Sequence, residues 1–199
     1  MFITLEGTEG SGKTTAIKGI AEVLRSEGHD VLVTREPGGS NIGPKIREIL
    51  LGGDAVSPLA ELLLFLADRT QHVEQVIRPH LAKGGVVLCD RFRDSTVAYQ
   101  GYARGFDVAL LEQLNDVATL SLKPDLTLLF DLDPEIGLAR QTDKDRLDLE
   151  PLEFHQKVRE GFLEIMKNEP ERVIRVDASL EPQQVQANCL EIIRSRFVS

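Results

Sequence analysis

The chain has 199 residues, 42% of them hydrophobic, and sets 23 Lys plus Arg against 32 Asp plus Glu for a net charge of -9. That length suits one domain with a full-sized core over residues 1–199, and the acidic balance excludes a surface built to lie along a nucleic-acid polymer. Cys89 and Cys189 stand alone, without CxxC or His-rich neighbours, which argues against a zinc site or a disulfide framework.

The amino terminus, Met1-Phe2-Ile3-Thr4-Leu5-Glu6, carries no basic leader, and the longest apolar run, residues 62–67, is too short to span a bilayer. A cytoplasmic protein without a membrane partner is expected. Residues 2–5 read as the first strand, being β-branched and apolar.

Directly after it comes Gly7-Thr8-Glu9-Gly10-Ser11-Gly12-Lys13-Thr14, which matches GxxxxGK[ST] between a strand and the helical period of residues 14–27. A glycine-rich turn that opens a helix presents successive backbone N–H groups to an anion, at the positive end of the helix dipole. In this frame Lys13 bridges the β- and γ-phosphates of ATP and Thr14 ligates Mg²⁺, with Thr15 completing the phosphate-binding run. A glycine turn that binds nothing is disfavoured by the joint placement of Gly12, Lys13 and Thr14.

A second strand is predicted at residues 31–34, then helices at 42–51 and 59–83. In the longer helix the spacing of Leu59, Leu63, Leu66, Thr70, Val73 and Ile77 predicts the buried stripe. Phe65 lies off that stripe and shares a face with Glu61, Arg69 and His72, so a ligand platform is favoured over a core aromatic. His72 and the other three histidines lack metal-ligand spacing and read as structural. Pro79 is expected to kink or end the helix.

The strand at residues 86–89 ends on Asp90, placed to hold the metal of a phosphate site; an ordinary strand-end carboxylate is the alternative. Arg91 follows at once, where it could neutralise an acceptor phosphate or make a surface ion pair. Further on come a helix at 108–120, a strand at 126–131, a densely charged segment at 140–150, a helix at 152–167, a strand at 173–176 and a helix at 182–197. Strands alternating with helices predict an α/β fold: a five-stranded parallel sheet flanked by helices on both faces, as in P-loop NTPases.

No [NT]KxD guanine-binding element occurs, which favours a small-molecule kinase over a GTPase switch. Four blocks in order carry a likeness across nearly the whole chain. They are the P-loop with Glu9, Thr34-Arg35-Glu36-Pro37-Gly38-Gly39, Phe65-Leu66-Ala67-Asp68-Arg69, and Asp90-Arg91-Phe92-Arg93-Asp94-Ser95-Thr96-Val97-Ala98-Tyr99-Gln100-Gly101. In these the sequence resembles the thymidylate kinase family.

The resemblance implies transfer of the ATP γ-phosphate to dTMP, with Mg²⁺, by a homodimer. It implies that Phe65 stacks on thymine, that Arg69 donates to its O4, and that Thr96 and Gln100 lie along the same pocket. It further implies that Arg47 and Arg91 hold the acceptor phosphate and that Glu36 belongs to the substrate site. Glu9 is implied to lie near the sugar 3'-hydroxyl, Tyr99 to crowd the place of a ribose 2'-hydroxyl, and Asp177-Ala178-Ser179 to turn beside adenine.

The P-loop carries no arginine between Gly7 and Gly12, so the charge that meets the transferred phosphoryl group must come from elsewhere. The bacterial branch of the family uses an arginine-rich lid, and the 140–150 segment occupies that position. It holds only Arg140, Lys144 and Arg146, which is sparse for the family, and Arg140 and Arg146 join Lys13 and Arg91 as the catalytic candidates. A kinase for another nucleoside monophosphate or for a deoxynucleoside is the alternative within enzymes. A non-catalytic ATP-binding protein is the alternative outside them.

Overall fold

The computed structural model describes residues 1–53 and 55–197. Five strands, β1 (Phe2–Glu6), β2 (Val31–Arg35), β3 (Val86–Asp90), β4 (Leu126–Asp131) and β5 (Val173–Asp177), form one parallel sheet in the order β2-β3-β1-β4-β5. Each begins where the sequence places it, and four run one residue further.

Because helices cover both faces, the strands are apolar on both sides and lack polar alternation. On one face Ile3, Leu5, Leu88 and Leu128 pack on Ile17, Ile20 and Leu24 of α1 (Lys13–Ser26) and on Val185, Cys189 and Ile193 of α9 (Pro182–Phe197). On the other, Phe2, Val87 and Cys89 meet Val73, Ile77 and Phe92. Beside them Leu129 and Val173 meet Val97, Tyr99 and the helix α8 (Leu152–Asn168) through Phe154, Val158 and Phe162.

Helix α2 (Gly43–Leu51) follows the second block, and α3 (Pro58–His72) passes through a π-helical turn (Val73–Ile77) into α4 (Arg78–Leu81). The Arg78 N–H reaches back five residues to the Val73 carbonyl. That widened turn lies where Pro79 lacks an N–H, so the helix accommodates the proline without ending there.

The buried stripe of α3 differs from the expected one. Leu59 and Leu63 are 57% and 53% exposed, while Glu61, Leu62, Leu66, Asp68, Arg69 and His72 face inward. Apolar spacing misses this register because four of the six inward residues are polar and find their partners on other segments: Glu61 on Gln100 and Arg146, Asp68 on the Gly38 N–H, and Arg69 and His72 on Glu36.

Two helices escape apolar periodicity as well. The segment after Asp90 forms α5 (Arg93–Thr96) and a second π-helical run (Val97–Ala103), and α7 (Pro134–Arg140) starts with Asp133 accepting from the Glu135 N–H at 2.9 Å. Helix α6 (Val108–Thr119) lies between them and is capped by Asp107, which accepts from the Leu110 N–H at 2.8 Å. Among the described residues no helix is long and apolar enough to cross a membrane.

Candidate active site

A cavity of about 690 Å³ opens at the carboxyl ends of β1, β2 and β3, the place where open parallel sheets bind ligands. Residues 9–15 and Asp90 line one end, Phe65, Arg69, Thr96 and Gln100 the other, with Arg47, Arg91 and Tyr99 also on its wall.

The phosphate end is a backbone construction. Gly10 and Gly12 have φ of 65° and 87°, in the left-handed region. A Cβ on Gly10 would stand 2.0 Å from the Gly137 carbonyl oxygen, whereas one on Gly12 would meet nothing within 4 Å. Gly10 is therefore demanded by packing as well as by φ, and Gly12 by φ alone.

Lys13 folds back into the turn, donating to Gly7 O at 3.0 Å, Thr8 O at 2.7 Å and Ser11 Oγ at 3.1 Å. Burial, with Arg91 adding to it, pushes its ammonium down to about 8, against the opposing pull of Asp90, Glu9 and Glu6. Thr14 Oγ1 donates to Asp90 Oδ2 at 3.1 Å, which brings the two candidate metal ligands together.

Arg91, at φ 69°, is held in a left-handed conformation that few non-glycine residues adopt. Its N–H donates to Leu5 O, and the next one, on Phe92, donates to Glu6 Oε1 at 2.7 Å. Thus anchored, Arg91 donates through Nη1 to Gly7 O at 2.9 Å and through Nη2 to Glu9 Oε1 at 3.0 Å, with its guanidinium 5.1 Å from the Tyr99 ring centroid.

Glu9 accepts from Arg91, from the Tyr99 hydroxyl and, at Oε2, from His155 Nδ1 at 3.2 Å. Burial by itself would raise the Glu9 carboxyl; Arg91, His155 and Lys13 outweigh it and hold the group at about 2. His155, without metal-ligand spacing, reads as structural in the sequence, and its contact with Glu9, 146 positions away, gives no local signal.

The acceptor end is built from side chains. Phe65 is half-buried and lies on the cavity wall. Arg69 donates from Nε to Glu36 Oε2 at 2.8 Å, from Nη1 to Thr96 Oγ1 and Asn115 Oδ1, both at 2.7 Å, and from Nη2 to Phe92 O at 2.9 Å. Of its five N–H groups one is left over. Glu36, itself on the cavity wall, accepts on its other oxygen from His72 Nδ1 at 2.9 Å, and these two contacts orient Arg69 and His72.

Gln100 donates from Nε2 to Glu61 Oε1 at 2.9 Å. Arg47 donates from Nη1 to Pro37 O at 3.0 Å, beside the second sequence block. Asn115 and Glu61, which touch Arg69 and Gln100, carry no motif in the sequence that marks them as contacts. Glu61 shares the Phe65 face of α3, which was the one available clue.

The two lid arginines part company. Arg140 lies on the cavity wall with Nη1 3.5 Å from Ala178 O, in the turn that follows β5, and Ser179 of that turn lines the cavity too. Arg146 is not on the wall. Its Nε donates to Leu50 O at 2.9 Å and its Nη2 to Glu61 Oε2 at 2.5 Å, so in this arrangement of the lid it is engaged away from the phosphate end. The buried Glu61 carboxylate is its charge partner there.

Residues 5–189 match the family model described as thymidylate kinase. A thymidylate kinase of Synechococcus sp. (strain JA-2-3B'a(2-13)) is 54% identical over 197 residues, covering 99% of this chain and 96% of that protein. One of Geotalea uraniireducens (strain Rf4) is 48% identical, covering 98% and 97%. The crystal structure of thymidylate kinase from Ehrlichia chaffeensis superposes with a TM-score of 0.83 at 37% identity, over 97% of this chain and 98% of that one. With near-complete coverage in each case and the phosphate and acceptor ends joined in one cavity, the chain belongs to the thymidylate kinase family.

Proposed function

We infer that the chain transfers the γ-phosphoryl group of ATP to dTMP, giving ADP and dTDP. The observation that carries this reading is the single cavity running from the P-loop to Phe65, Arg69 and Gln100, with Arg91 on its wall. A donor seated at one end and an acceptor at the other meet beside that guanidinium.

An acceptor phosphate is an oxyanion at neutral pH, so positioning and charge neutralisation suffice and no general base is needed. Lys13 exchanges its contacts with Gly7 O and Thr8 O for the β- and γ-phosphates, a small swing of a flexible stem. Arg91 and Arg47 hold the acceptor phosphate, and Arg140 supplies charge from the lid side. Glu9, kept ionised, accepts from the sugar 3'-hydroxyl, and Tyr99, fixed by Glu9, fills the space a ribose 2'-hydroxyl needs.

The Thr14 hydroxyl and the Asp90 carboxylate fit a magnesium ion that keeps most of its shell for phosphate oxygens and water. When bound, such an ion neutralises charge on the β- and γ-oxygens. Phe65 supplies the stacking face for the base, while Arg69, aligned by Glu36 and assisted by Thr96, supplies the donor to O4.

A cytoplasmic homodimer belongs to the same reading, supported by the exposed Leu59 and Leu63, four residues apart on α3. Sedimentation equilibrium tests it. A coupled assay with MgATP across dTMP, dUMP, UMP, dCMP, dGMP and AMP tests the activity: dTMP gives the highest kcat/KM. Equal or better turnover of dCMP, dGMP or AMP would remove the thymidylate assignment.

A further inference from the structure

Glu61 lies in the first turn of α3 and is fully buried, an environment that an ionised carboxylate tolerates only with several partners. It has them on both oxygens. Oε1 accepts from Gln100 Nε2 at 2.9 Å and Arg104 Nε at 3.4 Å; Oε2 accepts from Arg146 Nη2 at 2.5 Å and Arg104 Nη2 at 3.3 Å. Although burial opposes ionisation, Arg146, Gln100 and Arg104 together hold the carboxyl below its ordinary value.

These partners come from different parts of the fold. Gln100 lies in the π-helical run Val97–Ala103, whose wide turns project residues that a regular helix would place elsewhere. Arg104 caps that run, and its Nη2 also donates to Glu150 Oε1 at 2.6 Å. Arg146 belongs to the lid, which is stitched to the end of α2 through the Arg146 N–H to Leu51 O at 3.3 Å. One carboxylate therefore joins α3, the segment lining the acceptor pocket, and the lid.

A carboxylate is an acceptor only, so the amide of Gln100 must turn its NH₂ toward Glu61. Its carbonyl oxygen is then the atom left for the cavity that Gln100 lines. An acceptor at that point complements the N3–H of an imide base and opposes cytosine, whose N3 is a lone pair. Arg69, with one N–H unengaged, presents the complementary donor. A neutral residue at position 61 would let the amide flip and erase half of this pattern.

We propose that Glu61 is the positioning residue for base selection: it fixes the Gln100 amide with the carbonyl oxygen toward the acceptor base and ties that setting to the lid through Arg146. This rests on the thymidylate reading above. The consequence is that docking of the lid onto Glu61 and correct presentation of Gln100 reinforce each other, because the same carboxylate must stay put for both.

The test measures kcat and KM for dTMP and dCMP, and KM for ATP, in wild type, Glu61→Gln, Gln100→Met and the double variant. In Glu61→Gln the dTMP/dCMP ratio of kcat/KM narrows about tenfold or more, the scale of one charge-assisted hydrogen bond. The loss falls on the KM for dTMP and leaves the KM for ATP within about twofold, since uniform binding of the acceptor is what changes. In the Gln100→Met background the same substitution narrows the ratio no further, because the two residues act as one unit.

A purely structural Glu61 would lower kcat for both substrates and leave the ratio fixed, and that result overturns the proposal. So does equal narrowing in the wild-type and Gln100→Met backgrounds. Should Glu61→Gln fail to fold, Arg146→Met carries the test: it raises the KM for dTMP about threefold or more, from a position off the cavity wall, and Arg146→Lys restores it. An unchanged KM for dTMP in Arg146→Met overturns the lid tie. A wild type without preference for dTMP over dCMP removes the thymidylate reading itself, and this proposal falls with it.

Discussion

At the phosphate end of the cavity the binding groups are largely backbone N–H groups of one short turn, held by glycines and the start of α1. At the acceptor end the candidate contacts are side chains, two of them aligned by groups remote in sequence: Arg69 by Glu36, Thr96, Asn115 and the Phe92 carbonyl, and Gln100 by Glu61. The difference teaches that chemistry and stability separate at the first end and merge at the second. Changing Lys13 removes a charge from a turn that other contacts still shape; changing Arg69 strands a buried carboxylate.

Lys13→Met breaks or sustains this contrast most sharply. It lowers kcat by roughly 10³ to 10⁵, on the scale of other charged groups that contact a transferring phosphoryl group, and leaves the melting temperature nearly unchanged. Coupled assay and calorimetry on one preparation check both halves; a variant that loses its cooperative transition would mean the phosphate end is not separable from the fold.

Next in size is the lid pair. Arg140→Ala lowers kcat by about 10² to 10³, as for loss of one preorganised donor to developing negative charge, with little change in the KM for ATP. Arg146→Ala keeps kcat within about tenfold, because its guanidinium is engaged by Glu61 and Leu50. Reversed effects in single-turnover measurements would return Arg146 to the phosphates and displace Arg140.

Arg69→Met addresses the acceptor end. Removing one partner of a buried, hydrogen-bonded pair costs about 3 to 5 kcal/mol, and Glu36 would be left facing His72 alone. Urea denaturation reads the loss. If the variant is as stable as wild type and only base choice changes, the acceptor end is as separable as the phosphate end and the contrast fails.

The smallest expected effect is a pH dependence at the seam between the two ends. Burial, reinforced by the charge of Asp94, pushes the Glu6 carboxyl up to about 8 from an ordinary 4.5, so the folded state holds a proton there that the unfolded chain releases. Its contribution is fully present below about 4.5 and is lost as pH rises through about 8. Glu6→Gln, which keeps an acceptor for the Phe92 N–H and turns an amide N–H toward the Ser95 hydroxyl oxygen, flattens the fall in stability between pH 5 and 8. Denaturation midpoints that decline equally in wild type and variant would assign the fall to another group.

Legibility in the sequence follows the same division. The five strands were readable because a parallel sheet buried on both faces leaves short continuous apolar runs, and the P-loop because eight contiguous residues carry all of it. Asp90 was readable as the polar end of such a run. On α3 apolar spacing finds the buried Leu66, Val73 and Ile77 but not the start of the stripe, since Glu61, Asp68, Arg69 and His72 are buried there against partners from other segments. The helix after Asp90 was missed because its inward face is Arg93, Asp94, Thr96 and Gln100 as much as Val97 and Ala98.

By itself, then, the sequence determined the sheet, the anion-binding turn and, through four spaced blocks, the family to which the chain belongs. Each is local: a few neighbouring residues fix the backbone, and the backbone fixes the group. What only the tertiary structure decided is which charges meet. That Arg146 turns to Glu61 while Arg140 lies on the cavity wall, that His155 reaches Glu9, and that Gln100 is turned by a carboxylate 39 positions away all depend on close approach between distant segments. Ion pairs in a buried setting are settled by distance and by the remaining partners of each group, and neither quantity is written in the spacing of residues along the chain.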